Sequence, residues 1–174
     1  KVELDVSLTD VVHTLTLYTC CFVTLNGTVV GTITRKDMEK PVVRMWLFGI
    51  IMLFEMLVVK QIRDKWPDES WTKLVSAGRL EKAKALQEER RRRGLKADLL
   101  DSMQFSDKFQ ILLHDPDFGT LTGFGSAAAA KRALKDLESL RNNLAHGQDI
   151  ATPDWSPIVR LAHRIQHVFS TPSA

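Results

Sequence analysis

The alternation of hydrophobic and polar positions predicts a β-hairpin near the start of the chain. Residues 19–25 and 28–34 are rich in β-branched side chains, and the dipeptide Asn26-Gly27 separates them. Asn-Gly between two such segments is the strongest short signal for a hairpin turn, because both residues tolerate a positive φ. Ahead of the hairpin, Ser7 and Asp10 have the spacing of a capping box at the start of a short amphipathic helix.

Beyond residue 40 the hydrophobic spacing changes to the three- and four-residue period of helices. Nothing in this part of the sequence is typical of a strand. The sequence therefore predicts an α+β chain, with a hairpin and helices in residues 1–40 and an all-α, up-and-down helical bundle in residues 41–174. Candidate helices in the chain after the hairpin cover residues 35–40, 41–66, 68–75, 77–93, 97–114, 126–146 and 156–169.

The most apolar segment, residues 42–59, is a candidate membrane span. The charge-free stretch between Arg44 and Glu55 is only ten residues long, whereas a span needs about 18 to 20 apolar residues. A glutamate in the middle of a lipid-facing helix is also costly. We therefore expect a buried or dimer-forming helix and no membrane association.

Composition narrows the class of partner only slightly. The chain has 24 Lys and Arg against 21 Asp and Glu, so a surface for nucleic acid must come from local clustering and not from the net charge of +3. The two cysteines, Cys20 and Cys21, are adjacent and offer neither a disulfide framework nor a metal site. No leader of basic and then apolar residues precedes the first structured segment. These features favour a cytoplasmic protein.

The hairpin and the residues after it carry the first functional pattern. Gly31 allows close backbone approach, the Thr34 hydroxyl can meet a phosphate or ribose at a helix N-terminus, and the Asp37 carboxylate can accept bonds from two ribose hydroxyls. Residues 22–37 resemble the second half of a CBS (cystathionine β-synthase-type) module, whose ligand signature matches Gly31, Thr34 and Asp37. The resemblance implies a regulatory site for AMP, ADP, ATP or S-adenosylmethionine.

Two features qualify this interpretation of the N-terminal segment. Thr34 can cap the following helix and Asp37 can support the helix dipole without any ligand. Residues 1–40 are also shorter than a complete CBS repeat, and such repeats normally pair. A lone hairpin and helix bury too little apolar surface to be stable. We expect the missing half, and a sister repeat, upstream of Lys1.

A second pattern lies near the end of the candidate helix at residues 126–146. At about 100° per residue, Arg141 falls inside an apolar stripe, where a guanidinium needs an anion, carbonyl groups or a polar interface. Asn142 and His146 share the neighbouring, more polar face, and Gly147 is a natural helix stop. The stripe consists of Ala130, Ala133, Leu134, Leu137, Leu140 and Leu144.

The spacing of Arg141, Asn142 and His146 resembles the Arg-x4-His motif of HEPN domains, helical bundles that commonly dimerise and cut RNA without a metal. The resemblance extends from residue 42 to about residue 169. It implies that a ribose 2′-hydroxyl attacks the adjacent phosphodiester, giving 2′,3′-cyclic phosphate and 5′-hydroxyl ends. His146 is then the general acid or base, Arg141 holds the phosphate, and Asn142 orients the imidazole or the substrate.

An ideal helix separates Arg141 and His146 by about 140°, which favours a composite site across a two-fold dimer interface. The structural alternative is that Arg141 pairs with Glu55 or another buried acid, that Asn142 and Asn143 cap the helix end, and that His146 interacts with the helix dipole.

The remaining charged and metal-binding candidates give weaker signals. A basic run at Arg90, Arg91, Arg92 and Arg93 would attract an RNA backbone, although i,i+4 pairs with Glu88 and Glu89 on a solvated helix explain it equally well. His163 and His167 have the i,i+4 spacing of metal ligands, but no third ligand accompanies them. We therefore expect no metal site.

Together these patterns predict a metal-independent endoribonuclease that works as a homodimer on single-stranded or structured RNA and is regulated by an adenosine nucleotide. No cofactor is required for the predicted cleavage itself. The alternative is a non-catalytic protein in which both parts serve ligand-gated dimerisation.

Overall fold

The order of elements confirms the α+β class that the sequence predicts. The computed structural model describes residues 1–119, 126–150 and 155–170, of which most are helical. The strands are β1 (Val2–Glu3), β2 (Cys20–Leu25) and β3 (Thr28–Thr34). The α-helices in the described residues are α1 (Leu8–Leu17), α2 (Pro41–Lys65), α3 (Ala77–Arg92), α4 (Phe105–Leu112), α5 (Ala127–Ala145) and α6 (Ser156–Ser170). Short 3₁₀ helices occupy Arg35–Glu39, Ser70–Leu74 and Leu100–Ser102.

The predicted hairpin is confirmed, and its turn has the expected geometry. Asn26 and Gly27 both have positive φ, at 51° and 79°, as a two-residue turn that follows the twist of the strands requires. β2 and β3 pair antiparallel with an irregularity after Val23, and this places Gly31 opposite Val23. The sequence did not predict β1, which pairs parallel to β2 at the other edge of the sheet.

The predicted Ser7 cap at the start of α1 is also confirmed. The Asp10 backbone N–H donates to Ser7 Oγ at 3.2 Å, which satisfies one of the N–H groups that the first turn of a helix leaves without partners. The Ser7 hydroxyl in turn donates to the Asp10 carboxylate at 2.6 Å. α1 buries Val11, Val12 and Leu15 and packs against α6.

Three segments that the sequence predicts as α-helix form shorter helices than expected, and each contains a 3₁₀ helix. Residues 35–40 and 68–75 contain only the 3₁₀ helices Arg35–Glu39 and Ser70–Leu74. Residues 97–114 divide into a 3₁₀ helix and α4, separated by extended backbone at Met103. The Asp98 carboxylate accepts from the Asp101 backbone N–H at 2.7 Å. Such local side-chain bonds compete with the bonds of a continuous α-helix.

α2 is the longest helix in the described residues, and one of its faces is fully buried. By length and composition it could cross a membrane, since an 18-residue window has a mean hydropathy of 2.2. The core helices of soluble proteins meet the same criteria, and the absence of membrane association stays a prediction. The side chains on α2 that are no more than 1% exposed are Leu47, Ile51, Phe54, Val58 and Ile62.

Packing divides the chain into two compact units. One consists of Lys1–Met52 with Ser139–Ala174, and the other of Leu53–Glu138. In the second unit, Phe109 stacks on Phe54 with ring centroids 5.1 Å apart and meets Phe105 edge to face at 4.4 Å. The predicted boundary between residues 40 and 41 rests on the change in hydrophobic spacing and on the family resemblances, and it stays a prediction.

Candidate functional site

The apolar stripe on α5 supports the helix that carries the predicted catalytic residues. The stripe residues from Ala130 to Leu140 are no more than 8% exposed, as the helical spacing predicts, and Leu144 is half-buried. This burial fixes the rotation of the helix about its own axis. It places Arg141 at the edge of the buried face and leaves Asn142 exposed.

Arg141 is the least satisfied polar side chain in the described part of the chain. Its Nη1 donates to Asn142 Oδ1 at 3.1 Å, while its Nε is buried and has no hydrogen-bond partner among the described residues. Glu55, the acid that the sequence suggested as a partner, accepts a 2.6 Å bond from Lys108 instead. A guanidinium with an unpaired, buried N–H has unused capacity to bind an anion.

His146 lies at the very end of α5, in a turn that Gly147 makes possible. The Gln148 N–H donates to the Asn143 carbonyl at 2.9 Å and the Gly147 N–H to the Leu144 carbonyl at 3.5 Å, which is the bonding pattern of a Schellman motif. Gly147 has a φ of 65°, a left-handed conformation that glycine adopts without the steric cost that most side chains would incur. The predicted helix stop is therefore confirmed, and the His146 imidazole is exposed.

The two predicted catalytic side chains are near in sequence but are not bonded to each other. Within the described residues no hydrogen bond joins Arg141 to His146, and Asn142 contacts the arginine, not the imidazole. The Asn143 side-chain amide donates to the Asp149 carbonyl at 3.2 Å, which lies beyond the helix, so this bond does not cap the helix end. The structure therefore places a guanidinium and an exposed imidazole at the same end of α5, with no bond between them among the described residues.

A pair of residues that the sequence did not suggest binds the turn around His146. Arg44 Nη2 donates to the Asn143 carbonyl at 3.3 Å and to the Gln148 carbonyl at 2.9 Å. The Glu39 carboxylate accepts from Arg44 Nη1 at 2.7 Å and from the Ile150 backbone N–H at 3.0 Å. The only feature of the sequence that could have drawn attention to Arg44 is its position as a charged residue next to an apolar segment.

The structure brings Thr34 and Asp37 together as a capping box. The Thr34 backbone N–H and hydroxyl both donate to Asp37 Oδ2, at 2.7 and 3.0 Å, and Lys40 Nζ lies 2.8 Å from Oδ1. Hydrogen bonds from Lys40 and Thr34 lower the pKa of Asp37 to about 2. The capping alternative for these two residues is therefore confirmed, and ligand binding stays a prediction. Gly31 lies three residues earlier on β3, and a Cβ there would meet no atom within 4 Å.

The lowered pKa of Asp37 predicts a specific dependence of stability on pH. We expect Asp37→Asn to lower the free energy of unfolding by about 1 kcal/mol at pH 7. Because the folded-state pKa lies below the ordinary value, this contribution is complete above pH 4 and disappears as the pH falls toward 2. Urea titrations of both proteins between pH 7 and pH 2 measure the difference. Asp5→Asn, at an exposed site, is the control, and a wild-type advantage that persists unchanged at pH 2 contradicts the prediction.

The basic run at the end of α3 is largely engaged in local pairs. Arg92 contacts Glu88 at 3.3 Å and Arg93 contacts Glu89 at 2.7 Å, as the i,i+4 alternative predicts. Arg90 donates to the Asp101 carbonyl at 3.0 Å, while Arg91 is exposed. These pairs reduce the charge that the run offers to a polyanion, and RNA binding here stays a prediction.

No cluster of potential metal ligands occurs among residues 1–119, 126–150 and 155–170. His163 is exposed on α6, and the side chain of His167 lies outside the described part of the structure. A cavity of about 300 Å³ is lined by α4 and α5 residues that include Phe109, Leu134 and Lys135, and none of the predicted site residues lines it.

No family model matches the chain, and no curated protein or solved structure is significantly similar to it.

Proposed function

We propose that the protein is a metal-independent endoribonuclease of the HEPN type, regulated by an adenosine nucleotide at a CBS-like segment. The observation that carries the proposal is the Arg141 side chain, whose buried Nε has no partner in the described residues, five positions before an exposed His146. A structural arginine at such a position would be expected to have its donors satisfied. In this proposal the guanidinium turns outward to meet a phosphate, which supplies the acceptor that the buried Nε lacks.

The chemistry assigned to these residues needs no metal or cofactor. His146 removes the proton of the attacking 2′-hydroxyl or delivers one to the leaving 5′-oxygen, since an imidazole can accept a proton at one ring nitrogen and donate one from the other. Arg141 binds the phosphate and stabilises the charge that develops in the transition state. Asn142, which already accepts a bond from Arg141, holds the guanidinium in place. The products are a 2′,3′-cyclic phosphate and a 5′-hydroxyl.

A homodimer provides the most direct way to complete the site. Arg141 and His146 are not bonded to each other, so a second copy would add its own pair to a shared cleft. An exposed apolar stripe on α2 supports association of two copies, because Val42, Met45 and Met52 are 71%, 74% and 38% exposed. Gly49 lies on the same stripe, and a Cβ there would meet no atom within 4 Å, which allows two helices to approach closely.

The regulatory nucleotide is assigned to Gly31, Thr34 and Asp37. Open space in front of Gly31 leaves room for a ligand beside β3. The Lys40 side chain, 68% exposed, is the Asp37 partner that a ribose could most easily displace. In this proposal the protein acts in the cytoplasm, where both RNA and adenosine nucleotides are available.

Thermal unfolding tests the nucleotide assignment. A ligand at 100 times its Kd is expected to stabilise the folded protein by about 2.7 kcal/mol, which corresponds to a rise in Tm of roughly 5 to 10 °C. AMP, ADP, ATP and S-adenosylmethionine should be compared with guanosine nucleotides as controls. We expect at least one adenosine compound to raise the Tm of the wild type and not of Asp37→Ala. The absence of any shift at millimolar concentration, or an equal shift in Asp37→Ala, contradicts the assignment.

The alternative is a ligand-sensing dimerisation protein without catalytic activity, which the exposed stripe on α2 favours. Cleavage of RNA in the presence of EDTA separates the two proposals. The nuclease proposal predicts cyclic-phosphate ends without added metal. Intact RNA, together with a nucleotide-dependent change in sedimentation, would favour the alternative.

A further inference from the structure

The Glu39–Arg44 pair connects the 3₁₀ helix after the hairpin to the turn that carries His146. The 3₁₀ helix Arg35–Glu39 begins with the Thr34–Asp37 capping box and ends at Glu39. From this end Glu39 binds the backbone N–H of Ile150 at 3.0 Å and Arg44 Nη1 at 2.7 Å. Only Met38 therefore separates Asp37, which is predicted to bind the nucleotide, from Glu39, which contacts the segment that follows His146 directly.

Arg44 completes the connection from the first turn of α2. Its Nη2 donates to the carbonyls of Asn143 and Gln148, which lie on either side of His146 and Gly147. The Asn143 carbonyl belongs to the last turn of α5, and the Gln148 carbonyl follows the turn after the helix. A guanidinium carries several N–H groups in a fixed plane and is well suited to bind two such carbonyls at once. The Arg44 side chain is 18% exposed, so these bonds are partly shielded from water.

From these contacts we infer that Arg44 and Glu39 are positioning residues, which set the orientation of the His146 imidazole and transmit changes in the Thr34–Asp37 capping box to it. The inference rests on the proposed function and adds a route for its regulation. His146 lies in the backbone segment held by these bonds, so loss of either side chain frees the turn to move. Neither residue contacts the predicted reacting groups, and neither is a catalytic residue.

Imidazole ¹H–¹³C NMR spectra test the positioning independently of RNA cleavage. The His146 signals are assigned by their loss in His146→Ala. We expect them to move in Arg44→Gln and in Glu39→Gln, to return toward the wild-type position in Arg44→Lys, and to stay in place in Arg63→Gln. Arg63 is a matched control, because it also lies on α2 but donates to Asp101 at 2.9 Å in the other compact unit.

The outcomes of this experiment are distinct. His146 signals that coincide with the wild type in folded Arg44→Gln and Glu39→Gln overturn the inference. Glu39→Gln keeps the test available if Arg44→Gln does not fold, since the Glu39 side chain is 41% exposed. If the signals move but the wild type never cleaves RNA, the positioning role stands and the proposed nuclease function fails.

Transmission from the capping box is tested by a double-mutant comparison. Asp37→Asn should shift the His146 signals in the wild-type background and leave them in place in the Glu39→Gln background. An equal shift in both backgrounds overturns transmission through Glu39. In cleavage assays Arg44→Gln should lower kcat by on the order of 10²-fold with little change in KM, as expected for a misplaced catalytic group. An unchanged kcat in an active enzyme contradicts the positioning role.

Discussion

Replacing His146 with alanine is expected to lower the rate of RNA cleavage by about 1000-fold or more. General acid–base catalysis contributes between about 10² and 10⁴ in rate, and the proposed mechanism assigns the proton transfer to this exposed imidazole at the end of α5. Because the side chain is exposed, the substitution should leave the Tm nearly unchanged. His163→Ala is a matched control, since His163 is also exposed on a helix of the same compact unit.

Arg141 provides a second test of the proposed site, because its assigned role is to bind the phosphate and not to transfer a proton. Removing its guanidinium should cost on the order of 10²- to 10³-fold in kcat, as for other groups that stabilise transition-state charge. Arg141→Lys should recover little activity, because an ammonium cannot reproduce the planar fork that binds a phosphate. His146→Ala or Arg141→Ala proteins that cut RNA at the wild-type rate would show that another site performs the reaction.

The largest expected effect on stability comes from the ion pair inside the second compact unit. Lys108 Nζ lies 2.6 Å from Glu55 Oε1, and the two side chains are only 7% and 16% exposed. Glu55→Ala leaves a buried ammonium without its partner, and we expect this to cost about 3 to 5 kcal/mol. Urea unfolding at neutral pH measures the change.

The double variant Glu55→Leu/Lys108→Met distinguishes two contributions to stability. One is the net contribution of the ion pair, and the other is the cost of burying a charge that has lost its partner. Replacing both partners with apolar side chains of similar size should leave the protein within about 1 kcal/mol of the wild type, or make it more stable. Lys60→Ala is the control, because Lys60 and Asp64 form an ion pair in which both side chains are more than half exposed. Such a pair should contribute under about 1 kcal/mol. A Glu55→Ala protein as stable as the wild type contradicts the expectation.

Local signals in the sequence predicted the local features of the fold. The Asn26-Gly27 turn, the Ser7 cap and the Gly147 helix stop each depend on residues within a few positions of one another, and the structure confirms all of them. The buried stripe on α5 followed from helical periodicity alone. β1 was missed because a two-residue strand has no periodicity, and its pairing with β2 is made by residues about twenty positions away.

At the candidate site, too, contacts between residues far apart in the sequence could not be predicted. The sequence placed Arg141 in an apolar stripe and required a partner for it, and the structure shows that its buried Nε has none within the described residues. The bonds of Arg44 and Glu39 could not be predicted, because their partners lie about one hundred residues further along the chain. The sequence also suggested Glu55 as the partner of Arg141, whereas in the structure the Glu55 carboxylate accepts a hydrogen bond from Lys108.

The most direct test of the central claim uses a pair of RNA substrates. One is an unmodified single-stranded RNA, and the other carries a single 2′-deoxynucleotide immediately 5′ to the mapped cleavage position. Incubated with the wild-type protein in EDTA, with and without adenosine nucleotides, the unmodified RNA should be cut to 2′,3′-cyclic phosphate and 5′-hydroxyl ends, while the modified RNA should stay intact at that position. Intact RNA under every nucleotide condition, or equal cleavage of both substrates, would contradict the assignment of Arg141 and His146 to this reaction.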